Sequence, residues 1–157
     1  EAFLARLRAS NELISKVSAL VLFHLAPAQF PQGGASAKAY RRLARKLEAA
    51  GINARVLHRV AQADHFGRTT PDALAREFPS GDEFLRRAAD LAVEHHAVKD
   101  VVMGRHILAR GHAPSPWFGE VLAACREVED ETGWTEPDRI LDRVLEEMGK
   151  GKGVEPA

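Results

Sequence analysis

Ser36-Ala37-Lys38-Ala39-Tyr40-Arg41-Arg42-Leu43-Ala44-Arg45-Lys46-Leu47-Glu48-Ala49-Ala50-Gly51 carries a period that admits only one kind of secondary structure. Lys38, Arg41, Arg42, Arg45 and Lys46 stand at i, i+3, i+4, i+7 and i+8. At about 100° per residue they fall on one face of a helix. Tyr40, Leu43, Ala44 and Leu47 fall on the opposite face. Ser36 is placed to cap the start, and Gly51 to end it. Only Glu48 dilutes the positive side, so the five cations repel one another unless an anion lies nearby. A nucleic-acid phosphate backbone supplies such anions and releases counterions on binding.

The same period recurs along nearly the whole chain. Asn11 is placed to cap a helix to about His24, with Leu13, Ile14, Val17, Leu20, Val21 and His24 at core spacing. Pro27, Pro31 and Gly33-Gly34 are expected to break the chain. Asn53 is placed to cap a helix that stops at Gly67. Thr69 to Ser80 reads as a loop with room for one turn. Helices are then expected from Gly81-Asp82, from Gly104 to Arg110, from Trp117 to about Glu131, and after Thr135 with Pro137 in the first turn. Val98 to Met103 is the one β-like run, and it is short. The expected fold is all-α, an irregular multi-helix array in two helical subdomains. Four stretches are expected: residues 1–50 with the basic helix, 51–100 as a helical body, 101–148 as a helix-loop-helix region, and 149–157 as a disordered tail.

Composition narrows the function classes. The 157 residues are 45% hydrophobic and 28% charged, which suits a folded domain with a real core. No apolar run is expected to reach membrane-spanning length, and the start, Glu1-Ala2-Phe3-Leu4, does not read as a signal peptide. Cys125, the single cysteine, allows no internal disulfide and sits at an apolar helical position. A cytoplasmic setting is the expectation. The net charge of zero hides an asymmetry: residues 1–68 hold 11 Lys/Arg against 4 Asp/Glu, and the remainder 11 against 18. A polyanion partner is expected for the first part.

A second candidate site is Met103-Gly104-Arg105-His106-Ile107-Leu108-Ala109-Arg110-Gly111-His112-Ala113-Pro114-Ser115-Pro116-Trp117-Phe118-Gly119. Pro114 and Pro116 fix φ, and Gly111 can take the positive φ that ends a helix. A stiff loop at a helix N-terminus can offer N–H groups to phosphate; an ordinary hairpin turn is the alternative. The seven histidines form no ligand spacing. His24 lies on an apolar face, and Glu127, Glu129, Asp130 and Glu131 read as a charged helix end. The chain lacks an H-E-x-x-H, a C-x-x-C, a P-loop and a G-x-S-x-G.

Three stretches together resemble one family. Val21-Leu22-Phe23-His24-Leu25-Ala26-Pro27-Ala28-Gln29-Phe30, followed by Gly34-Ala35-Ser36-Ala37-Lys38-Ala39-Tyr40-Arg41-Arg42-Leu43-Ala44, is similar to the end of an HD domain and its following basic helix. Ala63-Asp64-His65-Phe66-Gly67-Arg68, with Phe78-Pro79-Ser80-Gly81 after it, resembles an Ala-Asp-x-x-Gly-Arg turn. The Gly104–Gly119 segment resembles a Gly-x-x-Leu-x-x-x-Gly-x-x-Pro-Gly-Pro-x-x-Gly motif. The family is that of the bacterial HD-containing CCA-adding enzymes, or tRNA nucleotidyltransferases, with their poly(A) polymerase relatives. The likeness spans roughly residues 15–125.

The resemblance implies a tRNA-binding, helical C-terminal region that holds acceptor stem and elbow while an N-terminal head polymerises. The head's Gly-Ser and Asp-x-Asp are not in this sequence. Mg and ATP or CTP would belong to that head, with none in this chain. Roles that the likeness implies are phosphate contacts by Lys38, Arg41, Arg42, Arg45 and Lys46, and a turn or contact role for Arg68. Arg105, Arg110, Gly111, Pro114, Pro116 and Gly119 would form the loop contact. His24 matches an HD-site histidine, which the resemblance implies as a metal ligand, but Ala37 stands where many relatives carry an Asp, and Ser115 replaces the glycine between the prolines. The alternatives are an HD-type metal-dependent phosphohydrolase resting on His24, and a helical protein-interaction module.

Overall fold

Ser10, Ser36 and Asn53 each turn a side-chain oxygen onto the amide three residues ahead, on Leu13 at 3.2 Å, Ala39 at 3.4 Å and Val56 at 3.1 Å. Those caps satisfy N–H groups that have no helical partner. They start three of the ten helices seen among the described residues, 2–151, of the computed structural model. The order is α1 (Ala2–Arg6), α2 (Asn11–Phe23), α3 (Ala26–Gln32), α4 (Ala37–Ala49), α5 (Ala54–Phe66), α6 (Pro71–Leu74), α7 (Pro79–Asp90), α8 (Gly104–Ala109), α9 (Trp117–Thr132) and α10 (Pro137–Gly151). No strand occurs among the described residues, so the protein is all-α. The β-like run at 98–103 is irregular chain, and α10 runs on through Gly151, into the stretch expected to lack structure. Residues 152–157 of that stretch lie outside the described residues.

The chain divides into two units, residues 1–98 and 99–157. In the first, Tyr40, Leu43, Ala44 and Leu47 of α4 pack with Ala54 and Leu57 of α5 and with Phe84 and Ala88 of α7. Helices on either side of residue 50 thus share one core. Phe30, Tyr40 and Phe84 form an aromatic trio, with centroids 5.2 to 6.0 Å apart. The irregular chain after α7 is tied back by polar contacts. The Ala97 N–H donates to Glu48 Oε1 at 3.2 Å, and Arg55 reaches Glu94 at 2.7 Å.

The second unit buries Ile107 of α8, Val121, Cys125 and Val128 of α9, and Ile140, Leu141 and Val144 of α10. Gly133, at φ +72°, ends α9 with its N–H on the Glu129 carbonyl at 2.8 Å. A left-handed residue there closes the helix with little strain only if it is glycine.

Four expectations are corrected. Ser10, not Asn11, caps α2. The residues around Pro27 and Pro31 continue as α3 instead of a break, because Pro27 occupies the first turn, where no donor is needed. Pro31 lies in the last turn. α7 starts at Pro79 for the same reason. Finally, α2 and α3 together, Asn11–Gln32, are long and apolar enough by composition to cross a membrane, although no such run was expected.

Candidate nucleic-acid interface

The α4 wheel places the five cations opposite the buried residues. Tyr40, Leu43, Ala44 and Leu47 are in the core, while Arg42 and Lys46 are exposed and Lys38, Arg41 and Arg45 half-buried. The Lys46 ammonium sits 5.7 Å from the Phe23 ring centroid. None of Lys38, Arg41, Arg42 and Arg45 is free of an interaction within the chain. A phosphate binding here would exchange for those contacts. Glu48, on the same helix, accepts from the Ala97 N–H.

Arg68 lies just past α5 and bonds Asp64 at 2.6 Å, four residues back. That bond holds the Asp64 carboxyl below its ordinary range. Arg68 therefore braces its own turn.

In the second unit the loop has the expected local form. Gly111 takes φ +84°, and α9 opens at Trp117 directly after Pro116. Two of its first-turn donors are already engaged, Phe118 N–H on the Ser115 carbonyl at 3.0 Å and Gly119 N–H on the Pro116 carbonyl at 3.1 Å. Glu120 adds a negative charge to the same turn. Both features oppose phosphate binding at this helix end. Arg110 bridges Asp142 at 2.6 Å and Asp138 at 2.9 Å, two carboxylates that raise its pKa. Arg105 is exposed, with Nη1 3.0 Å from Met103 Sδ. Pro114, Pro116 and Gly119 are exposed and shape the loop.

His24 is half-buried at the end of α2. Its Nδ1 lies 2.7 Å from the Val21 carbonyl of its own helix, and no three His, Cys, Asp or Glu side chains converge among the described residues.

Three buried polar groups, Glu129, its neighbour Asp130 and His58, escape the sequence reading. Glu129 is fully buried and accepts from the amides of Val101 at 3.2 Å and Val102 at 3.1 Å. Its spacing was the available signal: it stands four residues after Cys125 and eight after Val121, on the apolar stripe of α9. His58 lies in the first unit. It follows Ala54 by four on the buried stripe of α5, and its ring stacks on Phe78 at 5.8 Å. His65 stacks on Phe78 at 4.7 Å. Its Nε2 lies 2.9 Å from the Glu77 carbonyl.

His58 Nε2 is buried without a hydrogen-bond partner, 3.6 Å from Asp82 Oδ1. Burial pushes its pKa below 6.5, against the opposing pull of Asp82 on α7 and with a smaller push from Arg55 on its own helix. The unfolded chain therefore binds the proton more tightly than the folded one. The stability that the neutral ring contributes is complete above pH 6.5 and is lost as pH falls through the lower folded value. The thermal midpoint is expected to drop between pH 7 and 5, and the drop to shrink in His58→Leu. A pH profile identical in both proteins would remove His58 from this account.

The chain matches no family model, no curated protein and no solved structure.

Proposed function

We propose that this chain is the tRNA-holding helical region of a tRNA nucleotidyltransferase of the CCA-adding type, not itself catalytic. Nucleotide and Mg would be handled by a head outside the chain. The observation that carries the reading is the segregation on α4, with five cations on one face and four core residues on the other. The likeness of residues 15–125 to that family's motifs gives the polyanion its identity. α4 is the phosphate-contacting element, with Arg42, Arg45 and Lys46 as principal contacts and Lys38 and Arg41 beside them. Arg68 acts through its turn, and the Pro114–Gly119 loop contributes shape more than charge, because the donors of Phe118 and Gly119 are already bonded.

Arg42→Glu with Arg45→Glu tests the assignment. Binding to unacylated tRNA is expected to weaken at least tenfold. The slope of log affinity against log salt is expected to shrink by about two, one per lost phosphate contact. Both side chains lie off the core face, so the unfolding midpoint is expected to stay close to that of the parent. Unchanged affinity and slope would sink the assignment of this helix.

A further inference from the structure

α2 is more apolar than α4, α5 or α7, yet of its residues only Ala19 is buried. Leu13, Val17, Val21 and Leu25 stand four apart and form one continuous ridge. Leu13, Val17 and Val21 were expected at core spacing, but Leu13 and Val21 face water, as does Leu25, and Leu22 beside them is 73% exposed. Alongside the ridge, Leu4 of α1 closes with Val17, Ser18, Val21 and Leu22 on an apolar groove of about 350 Å³. Ridge and groove thus adjoin along α2, with Val17 and Val21 common to both. The two charges of α2, Glu12 and Lys16, pair with each other at 2.5 Å, so covering the face strands no charge.

Lipid is a poorer occupant than protein. The 13 residues of α2 extend about 20 Å, short of the ~30 Å hydrocarbon core. The apolar sequence continues into α3, but there Ala26 and Pro27 are buried and Phe30 packs edge-on against Tyr40 and Phe84. That segment cannot leave the unit without opening its core. A helix lying on a membrane surface uses cations on its polar face; the cation of α2, Lys16, is already neutralised by Glu12.

We propose that this face is the contact surface of a homodimer. A second copy, related by a two-fold axis crossing α2 near Ser18, sets its Val21–Leu22 edge into the groove and receives the same edge in return. Such an isologous contact needs one surface to be complementary to itself, and a ridge adjoining a groove meets that need. Ridges spaced by four residues interlock at about −50°. Phe3, Leu7, Val21, Leu22 and Leu25 expose on the order of 500 Å² of apolar surface, within the range for a monomer's largest patch. Two copies would cover about 1,000 Å² in total, the size that a specific interface must clear. The dimer is therefore expected to be concentration-dependent.

Sedimentation equilibrium without RNA, from low to several hundred micromolar, tests this independently of the tRNA reading. The weight-average mass is expected to rise toward twice the monomer's. Val21→Glu with Leu22→Glu is expected to hold it at the monomer's with helix content unchanged, since both side chains already face water. If that variant fails to fold, Val21→Cys decides: mild oxidation is expected to link two chains, and Cys125 is buried with its thiol pushed up to about 11. A flat mass in the parent overturns the proposal, as does association that the double variant leaves intact. A monomer that co-sediments with phosphatidylcholine–phosphatidylserine vesicles overturns it in favour of a lipid surface.

Discussion

Replacing Glu129 by alanine is expected to destabilise the second unit by about 3 kcal/mol, most of what a unit of this size has to spare. The carboxylate is fully buried in α9 and receives the amides of Val101 and Val102 as the chain enters the unit. Alanine leaves two inward-facing N–H groups without an acceptor, each costing about 1–3 kcal/mol. It also opens a cavity beside Val121 and Cys125, which line the same stripe. Glu129→Gln separates the two effects, because its side-chain carbonyl still accepts and its volume is kept. Denaturant unfolding is expected to rank parent, Gln, then Ala. Amide exchange at Val101 and Val102 is expected to speed up most in Ala. An alanine variant as stable as the parent would mean that these bonds do not hold the unit together.

Gly81→Ala is expected to destabilise the first unit by about 2 kcal/mol, although glycine-to-alanine inside a helix ordinarily gains about 1 kcal/mol. The sign reverses because a Cβ on Gly81 would come within 2.1 Å of the edge of the Phe78 ring. That ring cannot swing aside freely. It is buried, and it stacks with the rings of both His58 and His65. Gly119→Ala is the internal control, since no atom lies within 4 Å of the added carbon there. It is expected to leave the unfolding midpoint unchanged or slightly raised. Equal effects from the two substitutions would show that the Phe78 stack is not what demands glycine at 81.

How far the sequence carried the fold can be traced residue by residue. α4 was legible because its charge and apolar faces are opposed and its caps, Ser36 and the turn at Gly51, are chemically distinctive. α2 was legible as a helix but not as an exposed one. A period of 3.6 says which residues share a face, not which face meets the core, and here Leu13 and Val21 were left in water. α3 was hidden by its prolines, because a proline near a helix start looks the same in sequence as a proline that breaks one. The end of α7 was hidden for the opposite reason, since Ala92 takes φ +56° where glycine would have announced the stop.

The candidate site divides along the same line. The cations of α4 were legible from spacing alone. The engagements of Arg110 with Asp138 and Asp142, and of the Phe118 and Gly119 amides with the loop carbonyls, were not. They depend on the approach of α8 to α10 and on the turn taken at Pro116. Those contacts shift the weight of the RNA reading from the second unit to α4.

Binding of the whole chain to an unacylated tRNA, titrated from low to physiological salt beside an equal-length single-stranded RNA, tests the central claim most directly. The account predicts tighter binding to tRNA and a steep negative salt slope of about three to five, the number of phosphates that α4 can reach. No binding to tRNA at low salt would contradict it, leaving the cations of α4 as the solvated surface of a helical interaction domain.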